Sequence, residues 1–173
     1  MANSYFQFSE FLTFKTPEAV EMFCNLAKVA EYIFDQDFNP DEPEDYDGIC
    51  DKGTVDTFMR LPEKTRKALA ESCDCGTFDY GTEGYVPEHM TNTVWVGSEE
   101  NGNMDLAGEI ASVVLNSTGD HDTVFTFSGA GTCSRPVVGE FGGSWLAVSS
   151  KAVRGGSTWD DAEQMANQMR AGK

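Results

Sequence analysis

Residues 128–143 bring glycines, a cysteine and an arginine together in one short segment, SGAGTCSRPVVGEFGG. A GxG motif after a strand can form a phosphate-binding loop when a helix begins directly after the glycines, because the helix amides then face the phosphate. Here Pro136-Val137-Val138 follows, which favours extended chain, and no lysine stands at the phosphate position. We therefore interpret the segment as a long hairpin connection whose glycines adopt unusual backbone dihedrals.

A nucleophilic Cys133 in this segment would need a base beside it, and the two histidines of the chain are His89 and His121. His121 lies in an Asp-His-Asp turn, where a surface role is sufficient. We expect no catalytic residue and no enzymatic activity. The alternative is a small-ligand or active site on the loop, and its residues would be Cys133, Arg135 and Glu140.

A second candidate is the acidic segment 35–53, which holds eight carboxylates and two prolines. The prolines and the charge density predict a loop rather than a helix or a strand. Calcium binding is not supported, because Pro40 replaces the turn glycine of an EF-hand loop and Tyr46 replaces its closing glutamate. One interpretation is a solvated loop. The other is contact with a partner through Asp41, Glu42, Glu44, Asp45 and Asp47.

The cysteines do not form a metal-binding pattern. Cys73 and Cys75 are one close pair, whereas a structural zinc site uses two pairs of ligands. The sequence therefore predicts no metal and no cofactor. The five cysteines are scattered, and the N-terminus lacks the basic start and apolar stretch of a signal peptide, which favours reduced thiols in a cytoplasm.

Charge restricts the classes of partner more than any motif does. Twenty-nine acids and twelve bases give a formal net charge of −17. A chain of this charge is repelled by phosphate backbones and by anionic membranes, so we expect no direct binding to nucleic acid or to a membrane. A basic protein surface is the complementary partner, including one that normally binds nucleic acid. Solubility alone is the other explanation of the charge.

The spacing of apolar residues along the chain predicts secondary-structure elements in the order β-α-(α)-β-α-β-β-α. Alternating aromatics predict a strand at 5–14, and Thr16 and Pro17 begin a helix to about residue 34. One or two short helices are predicted at 55–73 and a long connection at 73–90. Strands are predicted at 92–97, 123–127 and 144–149, with a helix at 104–115 between the first two.

The final helix is capped by Ser157 and Asp160. Its predicted inward stripe consists of Trp159, Ala162, Ala166 and Met169.

This order predicts an α+β fold, a mainly antiparallel sheet with helices packed on one face and with split-βαβ, ferredoxin-like character. The length of 173 residues fits one compact domain, 1–173. Each half opens on a strand followed by a helix, so two related halves, about 1–90 and 91–173, are a further interpretation.

The segments 132–136 (TCSRP) and 139–143 (GEFGG), followed by an apolar strand, resemble a pattern found in uncharacterised small proteins of phages and mobile elements. The pattern is TCS, lysine or arginine, proline, a spacer, EFGG and a strand, and the similarity extends over residues 92–151. The resemblance implies a phage or mobile-element origin and the cytoplasm of a bacterial host. It implies no activity and no catalytic residues.

The combined hypothesis is an acidic interaction protein that presents carboxylates to the basic surface of a host defence complex, as an anti-CRISPR or antirestriction protein. The alternatives are a ligand-binding protein or enzyme that uses loop 128–143, and a structural or regulatory module, dimeric through a sheet edge. The oligomeric state is left open.

Overall fold

The computed structural model describes residues 4–35, 38, 51–100, 102–133 and 142–170. Within these ranges the strands are β1 Ser4–Thr13, β2 Asp79–Gly81, β3 Thr93–Ser98, β4 Val124–Cys133, β5 Gly142–Ser149 and β6 Val153–Ser157. The helices are α1 Pro17–Phe34, α2 Lys52–Met59, α3 Glu63–Cys73, α4 Met104–Ser117 and α5 Thr158–Arg170.

The strands form one antiparallel sheet in the order β2-β3-β1-β4-β5-β6. The chain runs from β1 through α1, α2 and α3 to β2, and β3 lies between β1 and β2 in the sheet. A split β-α-β unit contains a strand inserted in this way. The predicted α+β class and antiparallel sheet are confirmed. The ferredoxin-like character and the relation between the two halves stay predictions, and strands of both halves alternate in the one sheet.

Helix α1 begins as its sequence predicts. Thr16 is extended, and its Oγ1 accepts a hydrogen bond from Ala19 N at 3.3 Å, while Pro17 occupies the first turn, where its missing N–H costs nothing. The helix then buries Phe23, Leu26 and Ala27 against the sheet. Phe34 is 46% exposed, because it lies in the last turn of the helix, beyond the core.

The core fills the space between one face of the sheet and the layer formed by α1 to α4. Side chains alternate along a strand, so every second residue of the central strands points into this layer. α4 approaches β5 closely at Gly108, where a Cβ atom would lie 3.0 Å from Leu146 Cδ1. The largest fully buried side chains are Phe23, Phe58, Phe127, Leu12, Leu26, Leu106, Ile110 and Leu115.

Two strands were not predicted. β2 is three residues long and lies inside the segment predicted as a connection, since Gly81 and Tyr80 give no alternating pattern of useful length. β6, with the sequence VRGGS, carries two glycines that resemble turn residues. A Cβ at Gly155 would collide with Leu146, so the glycine is there to let β6 pair closely with β5.

The predicted loop 128–143 is also wrong at both ends, because β4 continues to Cys133 and β5 begins at Gly142. One of the glycines that indicated a loop, Gly129, is needed in the strand. The ring of Phe6, on the neighbouring strand β1, fills the space where a side chain at Gly129 would be. Residues 134–141 lie outside the described residues.

The acidic segment ends earlier than predicted. Asp51 is the N-cap of α2, and its carboxylate accepts a hydrogen bond from Thr54 N at 3.0 Å, so Lys52 and Gly53 are already helical.

Helix α5 corrects the expectation that every helix packs on one face of the sheet. It follows β6 directly, and its Asp161 accepts a hydrogen bond from Trp145 Nε1 at 2.7 Å on the opposite face. The predicted inward stripe of α5 is wrong at Ala162 and at Met169, since both are exposed.

Candidate functional site

Most of the residues proposed from the sequence lie outside the described residues. These are the acids of the predicted contact loop, Asp41, Glu42, Glu44, Asp45 and Asp47, together with Arg135 and Glu140 of the alternative loop site. Cys133 is the last residue of β4, and it pairs with Ser4 at one end of β1.

Both histidines lie at the other end of the sheet from Cys133. His89 belongs to the connection that returns to β3, where Asn92 O accepts from Phe14 N at 2.8 Å, next to the C-terminal end of β1. His121 precedes the first residue of β4, and Cys133 is the last. Strands of this length separate their ends by roughly 30 Å at about 3.3 Å per residue. Neither histidine can therefore act as the base for Cys133 in this fold.

The described residues instead form a cleft of about 1080 Å³ between the helix layer and the β5–β6 end of the sheet. The C-terminal half of α3 and the N-terminal turns of α4 form one wall. β6 and the first turn of α5 form the other wall. The floor includes apolar side chains, namely Phe6, Met104, Leu146 and Val153.

Asn103 fixes the wall made by α3 and α4. Its Oδ1 accepts from Leu106 N at 3.0 Å and so caps α4. Its Nδ2 donates to Ser72 O at 2.8 Å and to Gly76 O at 3.1 Å, both at the end of α3. One side chain thus satisfies a free amide of one helix and free carbonyls of the other, which holds the two helix ends together.

Four carboxylates converge on the cleft from three helices: Glu71, Asp105, Glu109 and Asp160. Glu71, Asp105 and Asp160 are exposed, and Glu109 is half-buried. Glu109 accepts a hydrogen bond from the hydroxyl of Ser72, which orients it across the wall. Asp160 accepts from Ser157 Oγ at 2.7 Å and donates its N–H to the same atom at 3.1 Å, which confirms the predicted cap of α5.

The described lining contains no lysine, arginine or histidine. A carboxylate rim above an apolar floor can accept the head group of an arginine or lysine while the floor contacts its aliphatic stem. Asp105 also lies in the first turn of α4, where its charge offsets the positive end of the helix dipole. The cleft is therefore suited to basic side chains and unsuited to phosphate.

Sequence reasoning missed this site except for Asp160, which it identified as a helix cap. The members are separated by long stretches of chain, and each is one acid in a sequence rich in acids. Acid content alone could not single them out. Only the packing of α3, α4 and α5 at one end of the sheet brings them together.

Other acids of the chain have structural roles. Asp120 is buried, and Lys15 Nζ lies 2.6 Å from its Oδ1 while Thr123 Oγ1 donates to Oδ2 at 2.6 Å. Burial alone would raise the pKa of Asp120, but the bonds from Lys15 and Thr123 and from backbone amides outweigh it and lower the pKa to about 2. At Asp51, hydrogen bonds from Thr54 likewise lower the pKa to about 2.

A serine–histidine contact that the sequence did not indicate lies at the start of β4. His121 Nδ1 and Ser150 Oγ are 3.0 Å apart. Ser150 is buried, so a substrate cannot reach its hydroxyl. The contact joins the α4–β4 connection to the β5–β6 hairpin and acts as a structural tie.

Among the described residues, no group of three or more histidine, cysteine, aspartate or glutamate side chains is arranged to hold a metal ion. In the same ranges Cys24, Cys73 and Cys75 are free thiols. Cys73 is buried, with its Sγ 3.1 Å from Leu69 O, and burial raises its pKa to about 12. In the described ranges, no helix is both long enough and apolar enough to cross a membrane.

No protein-family model matches the chain, and neither the curated proteins nor the solved structures contain a match to it.

Proposed function

We propose that this protein binds the basic surface of a protein partner and that the cleft between α3, α4 and α5 receives arginine or lysine side chains of that partner. One observation carries the proposal: four carboxylates converge on a cleft whose described lining includes no base. The net charge of −17 extends the attraction beyond the cleft and accelerates encounter with a basic surface.

The class of partner follows from what such a surface normally does. Clusters of arginine and lysine on cytoplasmic proteins commonly contact nucleic-acid phosphates. A protein that fills them with carboxylates prevents nucleic acid from binding. The proposed activity is therefore inhibition of a nucleic-acid-binding host complex, of the kind that restriction and CRISPR systems use. The resemblance of residues 92–151 to phage and mobile-element proteins supports that context.

The proposal is tested by capture from a bacterial lysate at about 0.1 M and about 0.5 M salt, followed by mass spectrometry. Raising the salt shortens the screening length from about 10 Å to about 4 Å, so contacts driven by charge weaken. We expect capture of a nucleic-acid-binding complex at low salt, its release at high salt, and its displacement by duplex DNA. A partner that DNA does not displace, or no partner at either salt, contradicts the proposal.

Two sets of variants locate the contact. The cleft set is Glu71→Gln, Asp105→Asn and Glu109→Gln, and the loop set neutralises Asp41, Glu42, Glu44, Asp45 and Asp47. A matched control, Glu83→Gln with Glu88→Gln and Glu99→Gln, removes as many charges as the cleft set from positions outside the cleft. Loss of capture with the cleft set but not with the control supports the cleft, and loss with the loop set alone assigns the contact to residues 41–47.

A further inference from the structure

Strand β6 lies at an edge of the sheet. It is the last strand in the sheet order, and the described ranges place β5 on one side of it and no strand on the other. Edge strands are often protected by shortness, proline or charge, because their free backbone groups can pair with another chain. β2, at the opposite edge, has three residues and carries Asp79, whereas β6 has five residues and no proline. β6 is therefore the more open of the two edges.

The register of the β5–β6 hairpin shows which backbone groups of β6 are free to pair. Ser149 N donates to Ala152 O at 2.9 Å, so these two residues form a hydrogen-bonded pair. Bonded and non-bonded pairs alternate along an antiparallel ladder, so every second residue after Ala152 bonds to β5. The N–H and C=O groups of Val153 and Gly155, which lie between those residues, therefore point away from β5 towards the open edge.

Val153 and Gly155 also line the acidic cleft. Both lie on the side of the sheet that faces the helices, since Val153 pairs with the buried Val148 and Gly155 with the buried Leu146. Gly155 is exposed and has no side chain to screen its backbone. The open edge and the cleft carboxylates thus border one cavity.

The acids of α4 lie on the flank of that helix next to the β5–β6 hairpin. Asp105, Glu109 and Ser112 form one stripe of α4, because they are four and three residues apart. Ser112 Oγ donates to Ser149 O at 2.7 Å, so this stripe runs along the hairpin. The helix-side side chains of a strand added beyond β6 would therefore meet these carboxylates.

We propose that an extended, basic segment of the partner adds as a strand to the free edge of β6, with every second side chain in the cleft. This inference rests on the proposed function and specifies the conformation of the partner. Side chains alternate between the two faces of a strand, so bases at every second position reach Glu71, Asp105 and Glu109. The intervening side chains lie on the outer face beside the exposed Arg154, which disfavours a base there.

Charge favours this occupant over a second copy of the chain. Two copies paired through β6 bring two sets of cleft carboxylates together, and the repulsion between them costs free energy. A basic segment neutralises the same carboxylates, and its backbone pairs with the free N–H and C=O groups of the edge.

The first test compares the affinities of peptides of about eight residues by calorimetric titration at about 0.1 M salt. In one peptide arginine and threonine alternate, and in its control the same residues are grouped into two blocks. We expect the alternating peptide to bind about tenfold more tightly, because only its arginines all lie on one face of a strand.

Two N-methylated forms of the alternating peptide test the backbone pairing. One is methylated at the arginine amides and the other at the threonine amides, so they have equal charge and equal numbers of methyl groups. Only one of these sets of amides faces β6, the arginine set in antiparallel pairing and the threonine set in parallel pairing. One form should therefore bind about tenfold or more weakly, and the other should bind like the parent peptide. Equal affinity of both forms overturns the proposal.

Hydrogen exchange measures the pairing on the unaltered protein. The amides of Val153 and Gly155 point to the open edge, whereas those of Arg154 and Gly156 already bond to β5. We expect the alternating peptide to slow exchange at the first pair by about tenfold or more, and at the second pair by much less. Slow exchange that appears without peptide and increases with protein concentration indicates a second copy at the edge, which overturns the choice of occupant.

Failure of this inference is distinguishable from failure of the proposed function. If all four peptides bind equally, and the cleft set Glu71→Gln, Asp105→Asn and Glu109→Gln removes that binding, the cleft receives basic side chains without strand addition. The inference is then overturned and the proposed function stands. If no peptide binds, both are overturned.

Discussion

At the scale of single residues, two sets of the described carboxylates can be compared. Asp51 and Asp120 are held by hydrogen bonds from neighbouring side chains and amides, and their pKa values are lowered to about 2. Glu71, Asp105 and Asp160 are exposed at the cleft. The first group stabilises the fold, and the second is exposed to a partner, although Asp160 also caps α5 through Ser157. Neutralising each group should therefore change a different measurement.

Asp120→Asn is expected to destabilise the protein by about 1–3 kcal/mol at neutral pH, because it removes the charged acceptor of Lys15 and Thr123. The pKa of Asp120 is about 2 when folded and takes its ordinary value of 3.8 when unfolded. Its contribution is therefore complete above about pH 4 and is lost as the pH falls towards 2. Urea denaturation of both proteins between pH 7 and pH 2 measures this.

Asp122→Asn is the control for Asp120→Asn, since Asp122 lies 3.5 Å from Lys15 Nζ and its side chain is 92% exposed. We expect it to change the free energy of unfolding by less than about 0.5 kcal/mol. If the two variants are equally stable, or if the gap between Asp120→Asn and wild type does not shrink below pH 4, the role given to Asp120 is wrong.

Thiol reactivity gives a second prediction at this scale. Cys75 is exposed, whereas Cys73 is buried and its pKa is raised to about 12 by burial, with the charges of Asp74 and Glu109 adding to the effect. A maleimide should modify Cys75 at least about tenfold faster than Cys73, as followed by peptide mass spectrometry. If maleimide modifies Cys73 and Cys75 at equal rates both in the native protein and in denaturant, the fold does not protect Cys73.

At the scale of elements, local signals predicted the helices better than the strands. Thr16 with Pro17 and Ser157 with Asp160 are complete start signals within four residues, so α1 and α5 were predictable. β2 and β6 are short or glycine-rich and exist because a neighbouring strand pairs with them. Pairing partners distant in the chain leave no local pattern, which is why these two strands were missed.

Gly129 and Gly131 in β4 provide a matched test of why glycines lie in this strand. The ring of Phe6 fills the place of a Cβ at Gly129, whereas at Gly131 the nearest atom is Gly142 O at 3.6 Å. Gly129→Ala should destabilise by about 1–3 kcal/mol because the ring must move, and Gly131→Ala should be near neutral. Thermal or urea unfolding of the two variants measures the difference.

If Gly129→Ala is as stable as Gly131→Ala, the ring of Phe6 moves aside without cost. The glycines of residues 128–133 would then have no packing role in the strand.

The candidate site was only partly predictable at this scale. The density of acids in residues 35–53 is visible in the sequence, and it suggested a contact loop. The cleft is different, because Glu71, Asp105 and Asp160 lie on three separate helices. Asn103 is the residue that aligns two of these helices, and as a single asparagine before a helix it predicts a cap but no tertiary contact.

At the scale of the whole molecule, charge is distributed unevenly. The chain has 29 acids and 12 bases, and four of the acids line the cleft, whose described lining contains no base. Binding of a basic partner at the cleft should weaken as the salt concentration rises, because it depends on attraction between opposite charges.

The most direct test of the central claim is an NMR titration of the ¹⁵N-labelled protein with an oligo-arginine peptide of about eight residues, at about 0.1 M salt. The account predicts that the largest chemical-shift changes occur at the amides of Glu71, Asp105, Glu109 and Asp160. It also predicts that the cleft set of variants weakens the affinity by about tenfold or more, and the control set by much less. Shift changes spread evenly over all exposed acids, or an equal loss of affinity in both sets, would contradict it.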